Sequence, residues 1–107
     1  MRTTLVLLGA LSVLLLSSVT LCGQTSSLFD QQCAACHAKD GSGSPAGKRL
    51  GVLDLRSHEV QSLSNGELFD SIAYGTKHRN YPHGFARRGI TNEQITGLVQ
   101  YIRTLHK

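Results

Sequence analysis

Residues 33–37 read CAACH, and this short stretch determines how the rest of the chain is interpreted. Two cysteine thiols with a histidine directly after the second suit three kinds of chemistry. Such a pair binds zinc when further ligands complete four positions. It acts as a redox dithiol within a βαβ frame, or it attaches a haem through two thioether bonds with the histidine as an iron ligand.

The rest of the sequence argues against a zinc site and against a redox-active dithiol. Cys22 is the only other cysteine, so no second pair completes a zinc site, and the chain has no strand pattern for a βαβ frame. A structural disulfide between Cys33 and Cys36 is the plain alternative. Because His37 follows the pair directly, the sequence favours one haem c attached to Cys33 and Cys36, with His37 as a ligand of its iron.

The N-terminus has the layout of a secretory signal peptide. Arg2 precedes an apolar run over residues 5–16, which is short for a bilayer span of about 20 residues. We therefore expect residues 1–23 to be a signal peptide and residues 24–107 to be one domain in the periplasm or otherwise exported. An uncleaved anchor, and a lipoprotein signal with lipid on Cys22, both stay open. Membrane contact is expected only in those two cases.

Composition limits the remaining function classes. Beyond residue 23 the chain has ten Lys and Arg residues against seven acidic ones, a modest and scattered excess that argues against nucleic acid binding. With three Phe, three Tyr and no Trp, so short a chain has little material for a core of its own. A covalently bound cofactor would supply the missing apolar area.

Helix-start signals predict three helical segments. The first helix is expected to begin at Ser26 or Ser27 and to run towards Cys36. Capping boxes begin the other two: Ser64 with Glu67, and Thr91 with Gln94. Residues 40–52 and 76–90 contain glycine and proline and are expected to be loops. The pattern predicts an all-α fold.

The motif and the order of these segments resemble the class I cytochromes c, which hold a single haem, over about residues 26–105. Phe29 resembles the aromatic residue of the family's first helix, and Tyr101 resembles the residue of its last helix that crosses the first. Residues 67–77, ELFDSIAYGTK, resemble the middle helix. The resemblance implies a small cytochrome c-like fold of three to five helices around one edge-exposed haem c.

The sequence departs from this family at the second axial ligand. The family usually supplies a methionine from its second loop, whereas Met1 is the only methionine here. His83 lies where that methionine commonly falls when counted back from the last helix, and we favour it. His78 is the alternative, because GTKH is similar to a family GTKM. Tyr81, which precedes Pro82, and an open iron position are the remaining options.

These features predict an exported one-electron carrier with histidine on both faces of the iron, not an enzyme. Methionine–histidine ligation raises the reduction potential, so its loss is expected to lower it. The basic residues of the two loops are expected to face redox partners with acidic docking surfaces: Lys39, Lys48, Arg49, Lys77, Arg79, Arg87 and Arg88. The alternatives are a haem enzyme or gas or peroxide sensor with an open sixth position, or the haem subunit of a larger oxidoreductase.

Overall fold

The computed structural model describes residues 21–77 and 83–106, which form α-helices joined by loops and contain no strand. The helices are α1 Leu21–Gln32, α2 Ala34–His37, α3 Pro45–Arg49, α4 His58–Gln61, α5 Asn65–Tyr74 and α6 Asn92–Thr104, with a 3₁₀ helix at Phe85–Arg88. Only α1, α5 and α6 are longer than two turns, and they correspond to the three predicted segments. The predicted all-α class is confirmed.

The two predicted capping boxes are present. The Ser64 hydroxyl accepts from the Glu67 backbone N–H at 3.1 Å, and the Glu67 carboxylate accepts from the Ser64 N–H at 2.9 Å. Thr91 and Gln94 exchange the same pair of hydrogen bonds at the start of α6. At the other end of α5, Gly75 has φ 76°, a left-handed conformation that favours glycine.

The predicted start of the first helix is wrong. α1 already runs from Leu21, so Ser26 and Ser27 lie inside it. The Ser26 hydroxyl donates to the Gly23 carbonyl at 3.1 Å instead of capping the helix, a bond that a serine within a helix often makes. The predicted signal peptide lies mostly outside the described residues. Within residues 21–77 and 83–106, no helix has the length and apolar character needed to cross a membrane.

The core forms where α6 packs on α1 and α5. Its most deeply buried large side chains are Phe29, Ile95 and Leu98. The Phe29 and Tyr101 rings lie 4.9 Å apart between centroids, so the predicted crossing of the first and last helices is confirmed. A tilted aromatic pair at this distance is favourable beyond its buried area.

The C-terminal end of α6 holds α4 and the turn after it. Gln61 donates through its side-chain amide to the carbonyls of Leu55, at 2.7 Å, and Ile102, at 3.0 Å. Arg103 donates to the carbonyls of Gln61 and Leu63. The two carbonyls that accept from Arg103 lie at the end of α4 and in the turn after it, where a helix leaves carbonyls without backbone partners. These bonds fix the segment that forms one side of the cavity described next.

Candidate cofactor site

A cavity of about 620 Å³ lies between α1, α5 and α6 and the loop after α3. Its wall is mainly apolar, with Phe29, Leu68, Ile72 and Leu98 among the lining residues. A volume of this size is within the roughly 300–1,000 Å³ of small-molecule and cofactor sites. The small core of this chain therefore surrounds a space that a large apolar ligand would fill.

The CAACH motif lies on this cavity, because α1 ends at Gln32 and α2 turns the motif inward. Cys33, Cys36 and His37 all line the cavity, and His37 is only 8% exposed. Cys33 and Cys36 form no disulfide in the described part of the chain. Burial raises the pKa of the Cys33 thiol to about 11, since the apolar surroundings disfavour the thiolate.

The loop before α3 holds the motif in place from outside. The Ser44 backbone N–H donates to the Cys36 carbonyl at 2.9 Å, and the Ser44 hydroxyl donates to the Ala35 carbonyl at 2.7 Å. Gly47 packs so closely that a β-carbon there would lie 1.9 Å from the Cys36 carbonyl oxygen. The turn that carries both cysteines is thus fixed by backbone contacts.

His83 lines the same cavity and comes from the α5 side of the fold. Its Nδ1 lies 3.0 Å from the backbone carbonyl oxygen of Ser71, on α5. A carbonyl oxygen only accepts, so Nδ1 carries the proton of this bond. The same carbonyl also accepts from the Gly75 N–H at 3.0 Å, which fixes it at the end of α5.

The two histidine rings lie close to one another at the cavity. The centroids of His37 and His83 lie 6.0 Å apart, and the ring planes are inclined at 47°. His37 is held by the short helix α2, which packs on α1 and α3, whereas His83 is held by α5. Two imidazoles from different parts of the fold are therefore brought together, as the prediction of His37 with His83 requires.

The other predicted ligands cannot be compared in the same way. His78 and Tyr81 lie outside the described residues, so these alternatives stay predictions. The exposed His58, on α4, and His106, beyond α6, were not predicted to bind and are not among the residues that line the cavity. Sequence reasoning missed the Ser71 carbonyl and the Phe85 ring beside His83; a backbone acceptor has no residue-type signal, and Phe85 alone is an ordinary core aromatic.

Apolar side chains and the charged Lys77 and Glu59 line the outer part of the cavity. Leu50 is 38% exposed and Leu53 is 48% exposed, and both line the cavity. Lys39 pairs with Asp30 at 3.6 Å. Further basic side chains on this part of the chain are exposed: Lys48, Arg49, Lys77, Arg87 and Arg88.

Comparisons with known proteins agree with this architecture. A family model described as cytochrome c matches residues 24–106. Among solved structures, the chain is similar to one named KustC0563 c-type cytochrome, at 27% sequence identity and a TM-score of 0.66, over 78% of this chain and 98% of that one. No curated protein matches the chain. The predicted resemblance and the helical fold are both confirmed.

Proposed function

Because the chain belongs to the cytochrome c family, we propose that it is an exported one-electron carrier whose haem iron is bound by His37 and His83. Its cofactor is one covalently attached haem c, as the family has it. When bound, haem supplies an iron that gains or loses one electron. In this proposal Cys33 and Cys36 supply the thioether sulfurs.

The residues around the cavity fit such a group. A flat, largely apolar macrocycle needs an apolar wall, and Phe29, Leu68, Ile72 and Leu98 supply one. The two thiols lie at the edge of the same space as the buried His37. Apolar packing also excludes water from the iron, which limits the solvent rearrangement that accompanies a change of charge.

The separation of the two histidines is the observation that carries the proposal. An imidazole nitrogen lies about 2 Å from a metal that it binds and the ring centre roughly 1 Å further, so two imidazoles on opposite sides of one ion have centres about 6 Å apart. The His37 and His83 centroids lie 6.0 Å apart. This spacing suits a single ion bound between the two rings.

The hydrogen bond of His83 supports the same assignment. Histidines that bind a metal usually donate their second ring N–H to a carbonyl or carboxylate, which fixes the tautomer and the direction of the free nitrogen. The Nδ1 of His83 makes this bond to the Ser71 carbonyl at 3.0 Å.

Ligation by two histidines affects the reduction potential of the carrier. Methionine is a weak σ-donor that favours ferrous iron and raises the potential in cytochromes c, and this chain has no methionine beyond Met1. We therefore expect a lower potential than that of a methionine–histidine relative in an equally buried site. If His37 and His83 both bind the iron, no position would remain open for a substrate, which favours a carrier over an enzyme.

Redox partners are proposed to dock at the mouth of the cavity. Such contacts are small and transient, typically below about 1,200 Å² in total. Leu50 and Leu53 form a limited apolar surface there, and exposed Arg87 and Arg88 add positive charge next to the segment of His83. A partner with an acidic surface fits this combination, and its rate of association would fall as salt is raised.

Spectroscopy of the mature holoprotein tests the ligand assignment. We expect wild-type ferric protein to be low-spin, and His83→Ala to convert it to a high-spin or altered spectrum. His78→Ala and the exposed control His106→Ala should leave the visible and EPR spectra unchanged. A high-spin wild type, or a low-spin His83→Ala spectrum identical to wild type, would exclude His83 as the ligand. Loss of the low-spin form in His78→Ala alone would assign the position to His78.

Export is a separate part of the proposal and needs its own experiment. Fractionation of cells that express the wild type and Cys22→Ser distinguishes the three fates of the N-terminus. A cleaved signal predicts a holoprotein that is released with the soluble exported fraction in both cases, with a mass that lacks about residues 1–23. Membrane association that Cys22→Ser abolishes would indicate lipidation, and membrane association that survives it would indicate a retained anchor.

A further inference from the structure

Phe85 lies directly beside the histidine that we assign to the iron. The centroids of the His83 and Phe85 rings are 5.3 Å apart, with their planes inclined at 34°. Phe85 is only 6% exposed, belongs to the hydrophobic core and lines the cavity. Gly84 alone separates the two residues, and its φ of 58° lets the backbone turn sharply enough to bring the rings together.

A hydrogen bond from Nδ1 does not by itself fix the orientation of an imidazole. The bond to the Ser71 carbonyl sets the direction in which Nδ1 points, and therefore the direction of Nε2. The tilt of the ring also depends on the groups that pack against its faces. Phe85 is such a group, with its ring centroid 5.3 Å from that of His83.

We propose that Phe85 is a positioning residue that sets the plane of the His83 imidazole, and that Arg88 holds Phe85 in the required orientation. The proposal rests on the ligand assignment made above. The Arg88 guanidinium carbon lies 4.9 Å from the Phe85 ring centroid, over the ring. A cation at this distance from an aromatic face is attracted by the negative charge of the face, and the contact limits the tilt of the ring.

The plane of His83 has a measurable consequence. His37 and His83 are inclined at 47° to one another, neither parallel nor perpendicular. In low-spin ferric iron with two imidazole ligands, the angle between the imidazole planes determines the splitting of the iron d orbitals and hence the anisotropy of the EPR g-values. A change in the plane of His83 therefore changes the g-values even when both ligands stay bound.

The chain offers matched controls for both parts of the proposal. Phe85→Leu removes the ring face and retains much of the apolar volume, and Phe69→Leu makes the same change in a partly buried ring that contacts Tyr74 instead. Arg88→Gln removes the cation over Phe85. Arg87→Gln removes the same charge from the adjacent exposed position, whose guanidinium lies against Gly84.

Two readouts on the ferric holoprotein are compared: the EPR g-values and the rate at which added cyanide replaces a histidine ligand. We expect Phe85→Leu to shift the g-values and to accelerate cyanide binding between about 2- and 10-fold, because His83 loses a contact that holds it at the iron. Arg88→Gln should act in the same direction by at most about 5-fold. Phe69→Leu and Arg87→Gln should leave both readouts as in wild type.

The outcomes separate this inference from the assignment on which it rests. If the wild type is low-spin and depends on His83, but Phe85→Leu and Arg88→Gln match it in both readouts, Phe85 does not position the ligand. The same conclusion follows if the control variants shift the readouts equally, since the effect is then one of general packing or charge. If Phe85→Leu fails to fold, the exposed Arg88→Gln still decides. A wild-type spectrum that is independent of His83 refutes the ligand assignment instead.

Discussion

Replacement of Gly47 by alanine is the most direct test of how the cofactor motif is held. Gly47 lies in α3, against the turn that carries both cysteines. A β-carbon there would lie 1.9 Å from the Cys36 carbonyl oxygen, 2.7 Å from its carbonyl carbon and 2.9 Å from a methyl group of Val52. The first two neighbours are backbone atoms and cannot rotate away. Gly47→Ala therefore forces α3 and α2 apart.

The cost follows from the contacts that this movement breaks. Ordinary contact is about 3.5 Å, so the backbones must separate by roughly 1.5 Å at this point. Such a shift removes the two hydrogen bonds from Ser44 to Cys36 and Ala35, each worth about 0.5–1.5 kcal/mol, and overpacking adds about 1–3 kcal/mol. We expect a total loss of about 2–6 kcal/mol, and hence a melting temperature lower by at least about 8 °C.

Thermal unfolding of the holoprotein, together with the yield of covalently bound haem, measures the effect of Gly47→Ala. Gly66→Ala is the matched control, since the nearest atom to its β-carbon is the Ser64 hydroxyl oxygen at 3.9 Å. In α5 the same change should be neutral or stabilising by up to about 1 kcal/mol. The argument is refuted if Gly47→Ala unfolds within about 0.5 kcal/mol of the wild type, a range typical of surface substitutions.

Three further predictions concern stability. Thr91→Ala removes the N-terminal cap of α6 and should lower the free energy of unfolding, measured in urea, by about 1 kcal/mol. Thr96→Ala, on the exposed face of α6, should change it little, and equal effects of the two variants would contradict a stabilising role of the cap. Arg103→Lys removes the guanidinium that donates to two carbonyls at once and should lower the free energy of unfolding by about 2 kcal/mol in the same assay. An unchanged urea midpoint would contradict this. Hydrogen bonds from the N-cap hold the pKa of the Glu67 carboxyl below its usual range. Its stabilisation is therefore complete above the unfolded-state pKa and is lost as the pH falls through the lowered value, so acid titration should destabilise the wild type more than Glu67→Gln; parallel curves would refute this.

The parts of the fold that sequence predicted are those encoded by neighbouring residues. The capping boxes at Ser64 and Thr91 lie within four-residue windows, and CAACH contains both thiols and the first histidine in five residues. The helix start at Ser26 or Ser27 was predicted wrongly from the same kind of signal. A serine hydroxyl bonds as readily to a carbonyl within a helix as to an N–H at its start, so the residue type does not distinguish the two.

The rest of the candidate site depends on contacts between distant residues. The bond between His83 and the Ser71 carbonyl uses the backbone, which has the same acceptor at every position. Arg103 donates to carbonyls about 40 residues earlier in the chain, and the sequence of α6 does not indicate these partners. The close approach of Gly47 to Cys36 is likewise not evident from the sequence, because residues 40–52 contain several glycines and were predicted to be a loop, whereas Pro45–Arg49 form α3. These features follow from packing, which local patterns do not specify.

The burial of Cys33 has a consequence for the order of events during maturation. Only the thiolate is an effective nucleophile, and burial in the folded chain raises the pKa of the unmodified Cys33 thiol to about 11. Leu98 and Ile102 of α6 belong to the apolar wall of the cavity that this thiol lines. We therefore expect the thioether at this sulfur to form more readily before α6 docks than after it.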